Sequence, residues 1–151
     1  MKKTILFSAR DAAAAYKINI LFNYFYKKNY FVKIVAMEPA FGILESIIKK
    51  NKQKHLKKIK ILKKKELIQK SFNILKRIKP NFIITGLSGP GAGIDEGLIY
   101  CGKKIYIPTF SYQDFYGDLN RSFKMDPDYL KISKKFHTDH NILIITPSQK
   151  A

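Results

Sequence analysis

The sequence predicts an α/β protein with one three-layer domain, in which a parallel sheet of five to six strands lies between two layers of helices. Two observations predict this class. Short apolar runs of strand length alternate along the chain with longer segments of helical period, as they do in βαβ units. The length of 151 residues suits one domain with a full core and is too short for two ordinary ones. We therefore treat residues 1–151 as a single domain.

Strand and helix follow one another from the N-terminus to the last apolar run. Asp11 is suited to cap the first helix, and Pro39 stands where a second helix would begin. Lys79 ends the third helix, because a residue that precedes proline avoids the helical region. The predicted strands are Lys3–Ser8, Tyr30–Ala36, Ile59–Leu62, Phe82–Thr85, Ile105–Phe110 and Ile142–Thr146, and the predicted helices are 11–28, Pro39–Ile48, 64–78 and one with Asp95 and Glu96 in its first turn.

The chain is strongly basic, with a formal net charge of +18 that comes almost entirely from lysine. The excess is greatest in Lys49–Lys79, where Glu66 is the only acidic residue. This segment is either a solvated face or a surface that attracts phosphate groups or an anionic membrane. Nucleic acid is an unlikely partner, because specific readers prefer arginine and stacking aromatics, and Phe72 is the only aromatic residue there.

Composition also indicates a compartment. Cys101 is the only cysteine, so no intramolecular disulfide can form. The N-terminal apolar run breaks at Arg10 and is short for a secretory signal, and no run is long enough to cross a bilayer. We expect a cytoplasmic location, with peripheral membrane contact through Lys49–Lys79 as an alternative.

The first candidate site follows the first strand, at Ser8, Arg10 and Asp11. Dinucleotide-binding proteins carry a glycine-rich fingerprint at this position, and none is present, so the sequence indicates neither NAD nor FAD and implies no cofactor. The planar fork of Arg10 is suited to a phosphate or carboxylate. The alternative is that Asp11 only caps the helix and Arg10 is its ion-pair partner.

The second candidate site is the glycine-rich loop between Gly86 and Gly93. Backbone N–H groups in such a loop can surround an anion before a helix begins, although a tight turn is the alternative. There is no Gly-Lys-Ser/Thr ending, so the loop is not a P-loop. Acidic residues at the helix N-terminus favour sugar hydroxyls over bare phosphate. The candidate ligand-binding residues are Ser88, Gly89, Gly91, Gly93, Asp95 and Glu96.

The third candidate site is the polar-aromatic segment Gln113–Asn120. Asp114 or Asp118 could act as a general base, with ligand contacts from Gln113, Tyr116 and Asn120. The alternative is a polar loop with its aromatic rings packed beneath it. A calcium loop would need a glutamate that is absent, and His137 and His140 have no second ligand cluster, so we expect no metal site.

Two stretches resemble a known family. They read ILFSARDAAAAYKINILFNYFYKKNYFVKIVA and IITGLSGPGAGIDEGLIYCGKKIYIPTFSYQDFYGDLN. The chain is similar to the N-terminal Rossmann-like domain of GT-B glycosyltransferases and of UDP-N-acetylglucosamine 2-epimerase-like proteins. In that family a basic residue follows the first strand, and a "TG-S" turn and a polar-aromatic loop follow later strands. Ser8–Asp11, Thr85–Glu96 and Ile107–Asn120 match this layout.

The resemblance implies a division of labour. The N-terminal domain of such enzymes mainly takes the acceptor, and the C-terminal domain holds most contacts to the sugar nucleotide. The chain would then be an acceptor-side half, either truncated after residue 146 or working with a donor-binding partner chain. We expect a glycosyltransferase-like or sugar-nucleotide-related domain, and whether it is an enzyme alone is open. The alternatives are a non-catalytic nucleotide- or phosphate-binding module or partner subunit, and a basic binder of nucleic acid or membrane.

Overall fold

Strands and helices alternate along the chain from Thr4 to Gln113. A computed structural model describes residues 2–61, 64–87, 93–113 and 142–145, and gives the backbone alone at 64, 65, 87, 113 and 142–145. The strands are β1 (Thr4–Ala9), β2 (Phe31–Ala36), β3 (Leu56–Lys58), β4 (Phe82–Leu87), β5 (Thr109–Gln113) and β6 (Ile142–Ile145). The helices are α1 (Ala12–Lys27), α2 (Ala40–Ile47), α3 (Lys64–Ile78) and α4 (Ile94–Lys104), with a 3₁₀ helix at Lys50–His55.

The six strands form one parallel sheet in the order β3-β2-β1-β4-β5-β6. This is the order of a doubly wound Rossmann-type sheet, which grows in one direction from β1 and in the other from β4. The predicted fold class is therefore confirmed: a Rossmann-like αβα domain with a parallel sheet.

The two faces of the sheet bury separate apolar clusters. Phe7 of β1 packs with α1 and α2, whereas its neighbour Leu6 packs with α3 and α4. Successive side chains of a strand point to opposite faces, so a strand covered on both faces must be apolar throughout. This is why continuous apolar runs predicted β1, β2 and β4. Each fully buried side chain of this size, such as Phe22 or Leu98, contributes roughly 1.5–3 kcal/mol of burial free energy.

Helix boundaries match the sequence signals closely. The Asp11 carboxylate accepts a hydrogen bond from the Ala14 N–H at 2.8 Å, which confirms its predicted role as the N-cap of α1. Helix α3 has the predicted bounds, and Lys79, with φ of 50°, turns the chain out of it before Pro80. None of the helices in the described ranges is long and apolar enough to cross a membrane.

Two strand predictions were wrong in position. Strand β3 lies at Leu56–Lys58 and not at Ile59–Leu62, because Ile59 and Ile61 leave the strand and pack against the α3 side of the core. Strand β5 begins at Thr109, whereas Ile105–Phe110 was predicted. Tyr106 is 87% exposed with φ of 58°, so the apolar residues there form a turn after α4.

Candidate functional site

The candidate site lies where the direction of strand addition reverses. Strands β1 and β4 are neighbours, with Ser8 in register with Thr85, and their loops leave toward opposite faces of the sheet. In open α/β sheets this switch point forms a crevice at the carboxyl ends of the strands. Arg10 follows β1 there, and the predicted glycine loop connects β4 to α4. Two of the three predicted sites therefore adjoin each other.

A buried carboxyl group joins the first turn of α4 to the end of β1. The Ser8 hydroxyl donates a hydrogen bond to Asp95, and both side chains are fully buried. Ser8, Thr85 and Ser111 occupy matching positions on three adjacent strands, and the hydroxyl oxygens of Thr85 and Ser111 are 3.0 Å apart. Three buried hydroxyl groups thus form a row across the sheet, with Asp95 at one end.

Burial changes the ionisation of this carboxyl group. Desolvation, reinforced by the negative charge of Glu96, raises the pKa of Asp95 to about 8, although the Ser8 hydrogen bond and Arg10 oppose the rise. Asp95 is consequently protonated and uncharged near neutral pH. A neutral carboxylic acid does not repel an anionic ligand, so the N-terminus of α4 is less negative than the sequence suggested.

A second buried contact fixes the loop before α4. One carboxylate oxygen of Glu96 accepts from the Gly93 N–H at 2.8 Å, and the other lies 3.5 Å from Nη2 of Arg10. Glu96 is fully buried, which raises its pKa, while Arg10 and the Gly93 N–H oppose that rise. The Arg10 side chain is 17% exposed, so part of it remains accessible at the crevice.

Glycine is required at position 93 by the arginine beside it. A Cβ atom there would lie 2.2 Å from Cδ of Arg10, closer than any packing allows. Gly86 likewise lets α1 approach β4, because its Cβ would lie 2.6 Å from that of Ala14. The two described glycines of the loop therefore have packing reasons, and the predicted role of Gly93 in ligand binding stays a prediction.

The alternative proposed for Arg10 was half right. Asp11 does cap α1, but the ion-pair partner of Arg10 is Glu96, which is 86 residues away in sequence. Asp95 and Glu96 were predicted to face sugar hydroxyls. Both side chains are fully buried and contact Ser8, Arg10 and the backbone of Gly93, and their predicted contacts with a ligand stay predictions.

Several predicted residues lie outside the described ranges, and their roles stay predictions. The part of the chain that is described contains no cluster of three metal-ligating side chains. Cys101 is fully buried, with its pKa raised by burial to about 12, as suits a small core residue. The residues outside are Ser88, Gly89, Gly91, Asp114, Tyr116, Asp118, Asn120, His137 and His140, while Gln113 is described by its backbone alone.

Sequence reasoning missed two features of the site. The Thr85–Ser111 hydroxyl pair was not predicted, because β5 was placed four residues too early and Ser111 fell beyond it. The sulfur of Met37, just after β2, accepts from the Ile94 N–H at 3.3 Å and so meets the N-terminus of α4. Polar residues inside an apolar strand could have indicated the first feature, but no local signal indicates the second.

Comparison with known proteins gives the fold a context. No family model matches the chain, and no curated protein sequence matches it. Among solved structures, MurG from Acinetobacter baumannii superposes with a TM-score of 0.61 at 10% identity, over 100% of this chain and 43% of MurG. UDP-GlcNAc 2-epimerase from Methanocaldococcus jannaschii gives 0.61 at 14% identity, over 99% and 40%. MT0777 gives 0.55 at 12% identity, over 97% and 85%.

The fold is that of a GT-B Rossmann-like domain. The resemblance noted in the sequence is thereby confirmed for the fold. Identities of 10–14% carry the likeness no further than the fold. The chain spans 43% and 40% of the lengths of the first two proteins, and 85% of the third.

Proposed function

We propose that this chain is the acceptor-side half of a GT-B-type glycosyltransferase or a closely related sugar-nucleotide domain. The observation that carries the proposal is Arg10 at the switch point, held between Glu96 and Gly93 and partly exposed. A guanidinium group at the end of β1 suits the phosphate or carboxylate of a ligand that enters this crevice.

The buried carboxyl groups have a positioning role in this proposal. Glu96 orients Arg10 from behind, and Asp95 fixes Ser8 and the start of α4. Because Asp95 is uncharged near neutral pH and Glu96 faces a cation, neither opposes an anionic ligand. The earlier expectation of direct hydroxyl recognition by these two side chains is therefore replaced by support of Arg10 and Ser8.

The transfer chemistry would need groups beyond this cluster. In glycosyl transfer an acceptor hydroxyl loses its proton to a base while its oxygen replaces the nucleotide on the sugar. We assign the base to Asp114 or Asp118, with Gln113 at the end of β5 and Tyr116 and Asn120 beyond it as ligand contacts. The donor would be held by a partner chain, in keeping with the 43% and 40% of the two enzymes that this chain spans.

A second candidate is a non-catalytic phosphate- or nucleotide-binding module. It is favoured by the state of the acidic residues at the crevice. Within the described ranges, Asp11 caps α1 and the carboxylates of Asp95 and Glu96 are buried, so none of the three is placed to act as a base. This candidate uses the same Arg10 site and needs neither Asp114 nor Asp118.

Thermal unfolding with a panel of nucleotide sugars and their nucleotides tests the proposal. The variant R10Q/E96Q removes the guanidinium without leaving a buried charge, and K76Q is a control that removes an exposed cation from α3. We expect stabilisation by a ligand in the parent and in K76Q, and much weaker stabilisation in R10Q/E96Q. Equal stabilisation of all three proteins would overturn the assignment of Arg10. Binding by the parent without transfer, alone or with a donor-binding partner, would favour the second candidate, whereas transfer by the parent that D114N/D118N lacks would favour the first.

A further inference from the structure

The far edge of the sheet holds a groove that the switch-point site does not use. Strand β3 pairs with β2 only from Ile34 onward, and no other described strand pairs with the first half of β2 on this side. There the Nδ1–H of His55 donates a hydrogen bond to the Val32 carbonyl at 2.9 Å, which satisfies this backbone acceptor. A cavity of about 420 Å³ lies beside this edge, between β2, β3 and the C-terminal turn of α3.

A second cavity, of about 330 Å³, continues the first along α3. The two share Lys57 of β3 and Arg77 of α3 as lining residues, so they adjoin each other in one region of the surface. We refer to it as the β3–α3 groove. Its α3 wall consists of residues three, four, seven and eight positions apart, which lie on one face of the helix, and they are Lys70, Asn73, Ile74, Arg77 and Ile78.

The charge of the groove has one sign. No acidic side chain of the described residues lines either cavity, and burial and nearby lysines lower the pKa of His55, although its hydrogen bond to Val32 opposes this. Lys58 pairs with Glu38, and Lys70 pairs with Glu66 at 2.9 Å. The other five cationic side chains of the lining make no ion pair with a described acidic residue, and they are Lys33, Lys54, Lys57, Lys60 and Arg77.

The shape of the groove narrows the class of ligand. The cavities are concave, and their lining combines cationic side chains with the apolar residues Ile34, Val35 and Ile74. The local dielectric in such a cavity is lower than at an open surface, so the attraction between a cation and an anion is stronger there. A flat bilayer surface matches a convex basic face better than a groove. Among the described lining residues Phe31 is the only phenylalanine, tyrosine or tryptophan, which gives bases little to stack on.

We propose that the β3–α3 groove binds a soluble diphosphate- or polyphosphate-bearing ligand, with Lys57 and Arg77 as its central contacts. The site is separate from the switch-point crevice, because β3 lies two strands away from β1 and the two sites share no residue. The proposal is independent of the proposed function, since it uses neither Arg10 nor the loop after β4.

Calorimetric titration with inorganic tripolyphosphate at low ionic strength tests this proposal. The test variant is K57Q/R77Q. The matched control is K76Q/K104Q, which also removes two positive charges, but from exposed positions outside the groove. We expect one-to-one binding by the parent, about tenfold weaker binding by the test variant and less than about twofold weakening in the control. All substituted side chains are exposed, so the fold should be retained, and thermal unfolding of each variant checks this.

Three outcomes would overturn the proposal. Equal weakening by the two double variants would show that net charge alone attracts the anion. Binding to phosphatidylglycerol vesicles with no binding of tripolyphosphate would make the groove part of a membrane surface. Loss of tripolyphosphate binding in R10Q/E96Q, with binding retained in K57Q/R77Q, would place the anion at the switch point instead. Retention of binding in R10Q/E96Q supports the groove and leaves the proposed function to its own test.

Discussion

Replacement of Asp95 by asparagine should make the protein less sensitive to rising pH. The pKa of Asp95 is about 8 in the folded protein, against an ordinary value of 3.8. Between about pH 4 and pH 8 the folded protein therefore binds a proton that the unfolded chain has released, so stability falls as pH rises through that window. Below this pH window the Asp95 carboxyl group is protonated in both the folded and the unfolded protein, and above the window it is ionised in both.

The size of the effect follows from the same two values. Each unit of pH inside the window costs the parent about 1.4 kcal/mol of unfolding free energy, and asparagine cannot ionise. The amide oxygen of D95N can still accept the Ser8 hydrogen bond. The unfolding free energy of D95N minus that of the parent should therefore rise by up to about 3 kcal/mol between about pH 5 and pH 7.

Urea unfolding of D95N and the parent at several pH values measures this difference. The control is E45Q, which removes an exposed carboxylate from α2 and should give a nearly constant difference from the parent. A D95N difference that changes by less than about 0.5 kcal/mol over the same range, within the usual error of extrapolation, would refute the assignment of Asp95 as a buried, protonated acid.

Three further substitutions probe the surrounding contacts. R10Q alone leaves buried Glu96 without its cation, so chemical denaturation should show a loss of roughly 3 kcal/mol that R10Q/E96Q largely restores; an unrescued double variant would contradict the pairing. G93A places Cβ 2.2 Å from Cδ of Arg10 and should lower the unfolding free energy by about 1–3 kcal/mol in calorimetry. The control is G42A in α2, whose Cβ would lie 3.4 Å from its nearest neighbour, and this substitution should be neutral or stabilising. S71A removes a buried hydroxyl group that has no hydrogen-bond partner in the described part of the chain. It should raise the unfolding free energy by about 1 kcal/mol, measured as a higher melting temperature. A clear decrease in melting temperature would indicate that the hydroxyl group has a partner.

Most of the fold could be predicted from the sequence because the sheet is covered on both faces. Continuous apolar runs then identify β1, β2 and β4 directly, and Asp11 and Pro80 give helix boundaries through local backbone chemistry. The positions of β3 and β5 were wrong, since an apolar run alone does not distinguish a strand from a turn that packs on the core.

The site was harder to predict because its contacts are not local. The sequence placed Arg10 and Glu96 in two separate loops, and only the adjacency of β1 and β4 brings them together. Acidic residues in the first turn of a helix are usually solvated, so the sequence indicated ligand contacts for Asp95 and Glu96. Their burial depends on the close packing of α4 on β1 and β4, which no local pattern records.

The most direct test of the switch point as the ligand site is a titration with UDP-N-acetylglucosamine, monitored by amide NMR spectra. Other nucleotide sugars serve as comparisons. We expect the largest amide chemical-shift changes at Arg10 and Asp11 after β1 and at Gly86 and Gly93 on either side of the loop after β4. R10Q/E96Q should lose them, and K76Q, which removes an exposed cation from α3 outside the groove, should keep them. Shifts confined to the β3–α3 groove, or no saturable shift with any nucleotide sugar, would contradict the assignment of the switch point as the ligand site.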